Sequence, residues 1–157
     1  MIMSFRNDGS EARWEVSPAV EPGGRHVIVR RGANEKPKEP SGLSAAQARE
    51  YMERSIVVMS ASRQEMRTDS KPSPLVGAVL VRPDGSVDTA FRGELREGDH
   101  AEFTLIERKH RPDDLTGSTL FATLEPCAPG SRHMPKLGCA ERIVNARIKK
   151  VYIGIED

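Results

Sequence analysis

Three short stretches of this chain carry residue types that hold metal and move protons: His100-Ala101-Glu102, Glu125-Pro126-Cys127, and Cys139. A catalytic zinc ion takes three protein ligands and keeps a fourth position for water, and one imidazole with two thiolates is a suitable borderline-to-soft donor set. His100, Cys127 and Cys139 supply that set. Glu102 as a fourth ligand would close the open position. Two residues from His100, it can instead take a proton from an attacking water and return it to a leaving group.

Taken singly, these residues mean little. A lone His is usually a surface or satisfied core residue, and a lone Cys a small buried hydrophobe. A purely structural zinc site would close four ligands, often through C-x-x-C knuckles. The chain has only two cysteines, leaving His133 as the candidate for closing the shell. Read together, the H-x-E and P-C elements fall at a predicted helix start and strand end, which resembles the arrangement of zinc-dependent base deaminases.

The elements that must position these groups lie in residues 43–157. Ser44 followed by Gln47 is a capping box, and it predicts a helix running to about Arg63. Met52, Ile56, Met59 and Arg63 repeat on one face of it, a stripe read as core packing rather than a cofactor site. Leu75 to Val81 is a continuous apolar run. With the turn Pro83-Asp84-Gly85 it predicts a hairpin over 75–82 and 86–91. Helices near 100–110 and 139–147 precede strands at 118–124 and 150–155, the last two expected to be parallel. The fold class is α/β: a three-layer α/β/α core with a mixed sheet of four to five strands.

Residues 1–42 are rich in Pro, Gly and charge and read as a polar, partly disordered N-terminal extension. Its one apolar alternation, His26-Val27-Ile28-Val29-Arg30, predicts a short strand, and either this segment or a partner chain is expected to cover the free edge of the sheet.

Bulk properties exclude several function classes. With 157 residues, the chain suits one domain. Its 24 Lys and Arg against 23 Asp and Glu leave a formal charge of +1, unlike most nonspecific duplex-DNA binders. No apolar run approaches the roughly 20 residues of a membrane span, and residues 1–7 lack the basic-then-apolar order of a secretory signal. A cytoplasmic protein with no membrane partner is expected, in keeping with so few cysteines. No repeat and no Gly-rich phosphate loop is visible, which removes the usual support for nucleotide hydrolysis and hydride transfer.

Over about residues 45–157 the chain resembles the cytidine and deoxycytidylate deaminase superfamily, and within it the aminopyrimidine deaminase branch of riboflavin biosynthesis. The matching stretches are Pro74-Leu75-Val76-Gly77-Ala78-Val79-Leu80-Val81, His100-Ala101-Glu102, Gly117 through Cys127, and Cys139-Ala140-Glu141-Arg142-Ile143. The resemblance implies a cytidine-deaminase-like fold holding Zn²⁺, with the backbone amide of Ala101 and the carbonyl of Glu125 bracketing the amidine edge of a heterocycle. Ser73 stands where riboflavin-type enzymes have Asn before Pro, making it a candidate substrate-binding residue. Ala128-Pro129 replaces a usual Ser-His, and the loop between the cysteines is longer than in most relatives. The resemblance also implies a fifth core strand, a last helix and often a reductase domain beyond the matched stretch. A domain excised from a larger chain, or a homo-oligomer, is therefore expected.

The leading functional expectation is a zinc-dependent hydrolytic deaminase. It would convert an amino group on a small nitrogen heterocycle, whether aminopyrimidine, pterin-like or nucleoside/nucleotide, to a carbonyl with release of ammonia. One alternative is deamination of a base in single-stranded DNA or RNA, which needs a basic groove with stacking aromatics. Aromatic residues make up only 4% of the chain, although Arg25, Arg30, Arg31, Lys36 and Lys38 make the extension basic. The other alternative is a catalytically silent zinc-containing binding or assembly module, against which the intact Glu102 argues.

Overall fold

The apolar run before residue 82 becomes the strand buried on both faces in the computed structural model. It describes residues 2–5, 11–16, 28–30, 42–67, 70–131 and 137–156. The strands are β1 (Ile2–Phe5), β2 (Glu11–Val16), β3 (Ile28–Arg30), β4 (Gly77–Val81), β5 (Val87–Phe91), β6 (Thr119–Leu124) and β7 (Lys150–Ile155). The helices are α1 (Ala45–Met59), α2 (Ala101–Phe103), which continues as a π-helical segment over Thr104–Lys109, and α3 (Cys139–Asn145). No helix among the described residues is long and apolar enough to cross a membrane.

The sheet order is β3-β2-β1-β7-β6-β4-β5. Its core is the expected mixed set of four. The β4–β5 hairpin is antiparallel and turns at Val81↔Val87, β4 pairs antiparallel with β6, and β6 runs parallel to β7. Three further strands fall within residues 1–42. The free edge of β7 is covered by β1, in parallel, with Ile2 opposite Val151, whereas Ile28–Arg30 pairs with β2 at the far edge. Edge coverage by the 26–30 segment thus gives way to coverage by residues 2–5, because an open edge offers backbone N–H and C=O groups to any extended segment whatever its side-chain pattern.

Strand alternation divides the core into two layers around the sheet. On one face Ala48 of α1 packs with Val79, Val81, Phe121 and Tyr152. The Phe121 and Tyr152 rings stack there at 4.6 Å. On the other face Ala78, Leu80, Leu120, Val151 and Ile153 meet Ala101, Leu105, Ile106 and Ile143 from the second helical layer. Both faces of β4 are covered, which is why its sequence is continuously apolar rather than alternating.

Helix α1 starts as expected: Gln47 N–H donates to Ser44 Oγ at 3.2 Å and Ser44 N–H to Gln47 Oε1 at 2.9 Å. It ends at Met59, short of Arg63. There the backbone tightens into Ala61→Val58 and Ser62→Met59 bonds, and Ser62 Oγ both donates to Val76 O at 2.8 Å and accepts from Val76 N–H at 3.1 Å. Of the expected stripe, Met52 packs against the core and Met59 is half-buried, whereas Ile56 departs from it. Ser55, not Ile56, is fully buried, and Ile56 is 49% exposed. Close approach to Gly77 sets this phase, since a Cβ there would lie 2.2 Å from Ser55 O and 2.5 Å from Met59 N.

Gly77→Ala forces that backbone contact apart, and we expect it to lower stability by about 1–3 kcal/mol. Urea unfolding of the variant beside the wild type measures this. Unchanged stability would mean that α1 does not rest on the Gly77 backbone.

Candidate metal centre and catalytic carboxylate

Two structural units carry the candidate groups. The first is the loop after β5 and the helix it enters. Glu65 anchors that loop: its Oε1 accepts Gly98 N–H at 2.8 Å, and its Oε2 pairs with the Arg92 guanidinium at 3.3 Å, with both side chains 11% exposed. The loop ends at His100, which is extended at φ −72°, ψ 156° and caps α2, its carbonyl accepting Thr104 N–H at 2.9 Å. This backbone switch turns the imidazole off the helix start and puts Glu102 in the first turn.

The second unit is the end of β6 and the start of α3. Cys127 follows β6 by three residues, and Gly138 caps α3 immediately before Cys139. Gly138 lies so close to the first cysteine's backbone that a Cβ would meet Ala128 O at 2.6 Å and Cys127 O at 2.9 Å. With the backbones this near, Cys139 N–H donates to Cys127 Sγ at 3.1 Å and Ala140 N–H to Cys127 O at 3.2 Å. The Glu141 side chain accepts Gly138 N–H at 2.7 Å and holds the helix start.

The two units meet. One ligand atom from each of His100, Cys127 and Cys139 lies within 4.8 Å of the others, and Cys139 Sγ stands 3.5 Å from His100 Nδ1. Tetrahedral zinc with ordinary Zn–S and Zn–N bonds separates such a pair by about 3.6 Å, so the spacing suits the ion. The thiol chemistry agrees. Cys127 is lowered to about 2, first by hydrogen bonding from Cys139, which outweighs the opposing effect of its burial, with His100 adding to it. A donor that gives up its proton this readily suits a cation.

Glu102 is 2% exposed, and its Oε2 is buried with no hydrogen-bond partner. Burial raises its carboxyl pKa above the usual range, against the pull of His100. The same carboxyl lies within hydrogen-bonding reach of Cys139 and feels the Cys127 charge. A buried carboxyl oxygen with no protein partner is costly unless a small polar molecule or a proton occupies it.

Of the remaining candidates, Ala101 is fully buried at the start of α2. Glu125 N–H is tied to Ile155 O at 2.9 Å, which fixes the chain just before Cys127. Ser73 is 1% exposed, and its hydroxyl accepts Glu65 N–H at 2.9 Å while its own N–H donates to Glu65 O at 2.7 Å. Its observed contacts therefore close the 65–73 loop. His133 and part of the 128–138 loop lie outside the described residues, as do Arg25, Arg31, Lys36 and Lys38. Sequence reasoning missed Glu65, Gly138 and Arg92. Only Gly138 left a trace, as a glycine directly before a candidate ligand.

Comparison with known proteins agrees with this geometry. The family model for the cytidine and deoxycytidylate deaminase zinc-binding region matches residues 46–155. The riboflavin biosynthesis protein RibD of Actinobacillus pleuropneumoniae is 35% identical over 108 residues, covering 69% of this chain and 26% of that protein. A diaminohydroxyphosphoribosylamino-pyrimidine deaminase of Schizosaccharomyces pombe is 34% identical over 82 residues, covering 50% and 20%. Among solved structures, the diaminohydroxyphosphoribosylaminopyrimidine deaminase/5-amino-6-(5-phosphoribosylamino)uracil reductase of Thermotoga maritima superposes with a TM-score of 0.53 at 32% identity, over 69% of this chain and 29% of that one. The chain thus spans about a quarter of the length of the first of these relatives. The matched family is a zinc-binding one, and the His100, Cys127 and Cys139 cluster is compatible with that ion.

Metal analysis of the purified protein should find about one zinc per chain. Cys127→Ala should lose most of it together with stability, because the metal and the fold around it are linked. Full zinc occupancy in that variant would remove Cys127 from the ligand set.

Proposed function

This chain belongs to the cytidine and deoxycytidylate deaminase family, and from that premise we propose that it is a hydrolytic deaminase of a small nitrogen heterocycle, with Glu102 as its proton shuttle. The observation that carries this reading is the buried Glu102 carboxyl, with Oε2 unpartnered, beside the His100, Cys127 and Cys139 donor cluster. A silent zinc module has no use for such a carboxyl.

The chemistry that zinc supplies when bound is activation of a water as a nucleophile near neutral pH. Glu102 does the proton work. As water adds across the amine-bearing carbon and its ring nitrogen, the carboxylate carries one water proton to that ring nitrogen; it then carries the second, from the new hydroxyl, to the amine nitrogen, which leaves as ammonia while a carbonyl remains. Burial favours this double duty, because a carboxyl raised above its usual range holds the proton between the two transfers rather than losing it to solvent. The Ala101 N–H and the Glu125 carbonyl hold the amidine edge of the ring, as donor and acceptor on either side of the reacting carbon.

Among heterocycles an aminopyrimidine is favoured, since the relatives above are named for one. The first-choice substrates are therefore aminopyrimidines, with pterin-like compounds and nucleotides next. A reducing cytoplasmic setting is in keeping with two free cysteines that double as metal ligands.

A mass-spectrometric screen for the roughly one-dalton gain from amine to carbonyl identifies the substrate. On that substrate Glu102→Ala should retain zinc and fold while turnover falls by about 10²-fold or more. Turnover within about tenfold of wild type, with zinc retained, would make Glu102 structural and defeat the mechanism.

A further inference from the structure

The metal ligands stand on two units, and each unit is internally fixed. Cys127 is tied to the start of α3 by Cys139 N–H on its Sγ and Ala140 N–H on its carbonyl, across Gly138. His100 is held by its own loop and helix, through Glu65 on Gly98 and through the Asp99–Arg108 ion pair at 3.0 Å. What neither set of contacts determines is the separation of α2 from α3, and so the distance from the imidazole to the two thiolates.

Arg142 spans that gap. It lies three residues after Cys139 on α3, on the same side of the helix one turn along. Its guanidinium sits over the Phe103 ring, Cζ 4.7 Å from the ring centre, and its Nη1 is paired with Glu107 Oε1. Phe103 follows Glu102 directly, and Glu107 belongs to the π-helical segment that continues α2. Arg142 therefore grips the helix of His100 and Glu102 at two points from the helix of Cys139. The pair is substantially desolvated, at 18% and 28% side-chain exposure, so it should hold position better than an exposed ion pair does. The planar guanidinium serves both contacts at once, which an ammonium would do less well.

We infer that Arg142 is a positioning residue that sets the spacing of the His100 and Cys139 helices, and through it how tightly zinc is held. Zinc–ligand distances tolerate only about 0.2 Å, and supporting groups around a metal typically change its affinity about 10- to 100-fold when removed. Arg142 touches neither metal nor substrate, so its effect appears first in the metal.

The test is zinc release from the loaded, full chain into excess chromogenic chelator, together with the absorption spectrum of the cobalt-substituted protein. Arg142→Ala should release zinc about 10- to 100-fold faster and shift the cobalt bands. Arg142→Lys, which keeps the charge for Glu107 but loses the planar stack on Phe103, should fall between it and wild type. Arg82→Ala breaks a more exposed ion pair, Arg82–Asp113 at 3.1 Å, which meets the helix of His100 only at its far end, where Asp113 bonds the C-cap His110. It should lower stability at most and leave zinc release unchanged. Wild-type release and an unchanged cobalt spectrum in Arg142→Ala would overturn the inference, as would equally fast release from Arg82→Ala. If Arg142→Ala does not fold, Glu107→Gln carries the test, with faster release in support and wild-type release against. The inference rests on the zinc centre: wild-type protein that binds no zinc would defeat that reading first, whereas tight zinc in both wild type and Arg142→Ala defeats this inference alone.

Discussion

Parallel pairing of β6 with β7 is the constraint on which the site depends. Two adjacent parallel strands cannot be joined by a tight turn; the chain must leave the carboxyl end of the first and travel back to the amino end of the second, usually through a helix. Here that return path is α3. Because α3 must begin near where β6 ends, its first residue, Cys139, is delivered to Cys127, just beyond the end of β6. Two thiols twelve positions apart in the chain become neighbours as a by-product of the connection. Gly138 lets the two backbones come close enough for one sulfur to accept the other's amide hydrogen.

His100 arrives from the other direction by the same logic. The β4–β5 hairpin lies beside β6, and the chain leaving β5 enters the helical layer on the α3 side of the sheet. The imidazole and the buried carboxylate thus come from the start of one helix and the second thiolate from the start of another, with a packed sheet beneath both. Two helix starts and the segment after β6 supply the candidate ligands, and the packing of the helices on the sheet and on each other decides their separation. Metal centres on rigid elements hold geometry more precisely than centres on loops alone, and the Phe103–Arg142–Glu107 contacts extend that rigidity across the helix pair.

Glu102 shows what the arrangement costs. An acidic side chain with 2% exposure and an unpartnered oxygen lowers the stability of the chain that carries it. The surrounding core of Ala101, Leu105 and Ile106 offsets that cost by burying apolar surface on the same short helical stretch. The result is a carboxyl kept out of water beside a cluster that prefers a cation. Such local conflict between burial and polarity is what the proposed catalytic role of Glu102 would require.

The sequence by itself picked out the His, two Cys and nearby Glu that the fold brings together, because these types at helix starts and strand ends have few other joint uses. It also determined the elements with strong local signals: the Ser44 cap, the Pro83-Asp84-Gly85 turn, and the apolar strands, which appear within about two residues of their expected bounds. Tertiary structure decided the rest. The phase of α1, with Ser55 inward and Ile56 out, followed from backbone contact at Gly77, which no periodicity in α1 encodes. The choice of β1 to cover the β7 edge followed from backbone pairing, which is nearly blind to side-chain pattern. Arg142 read as one charge among many until α3 was packed on α2, since a cation's role depends on which ring and which carboxylate the fold brings to it. Local patterns report what a residue can do; only long-range packing reports what it stands beside.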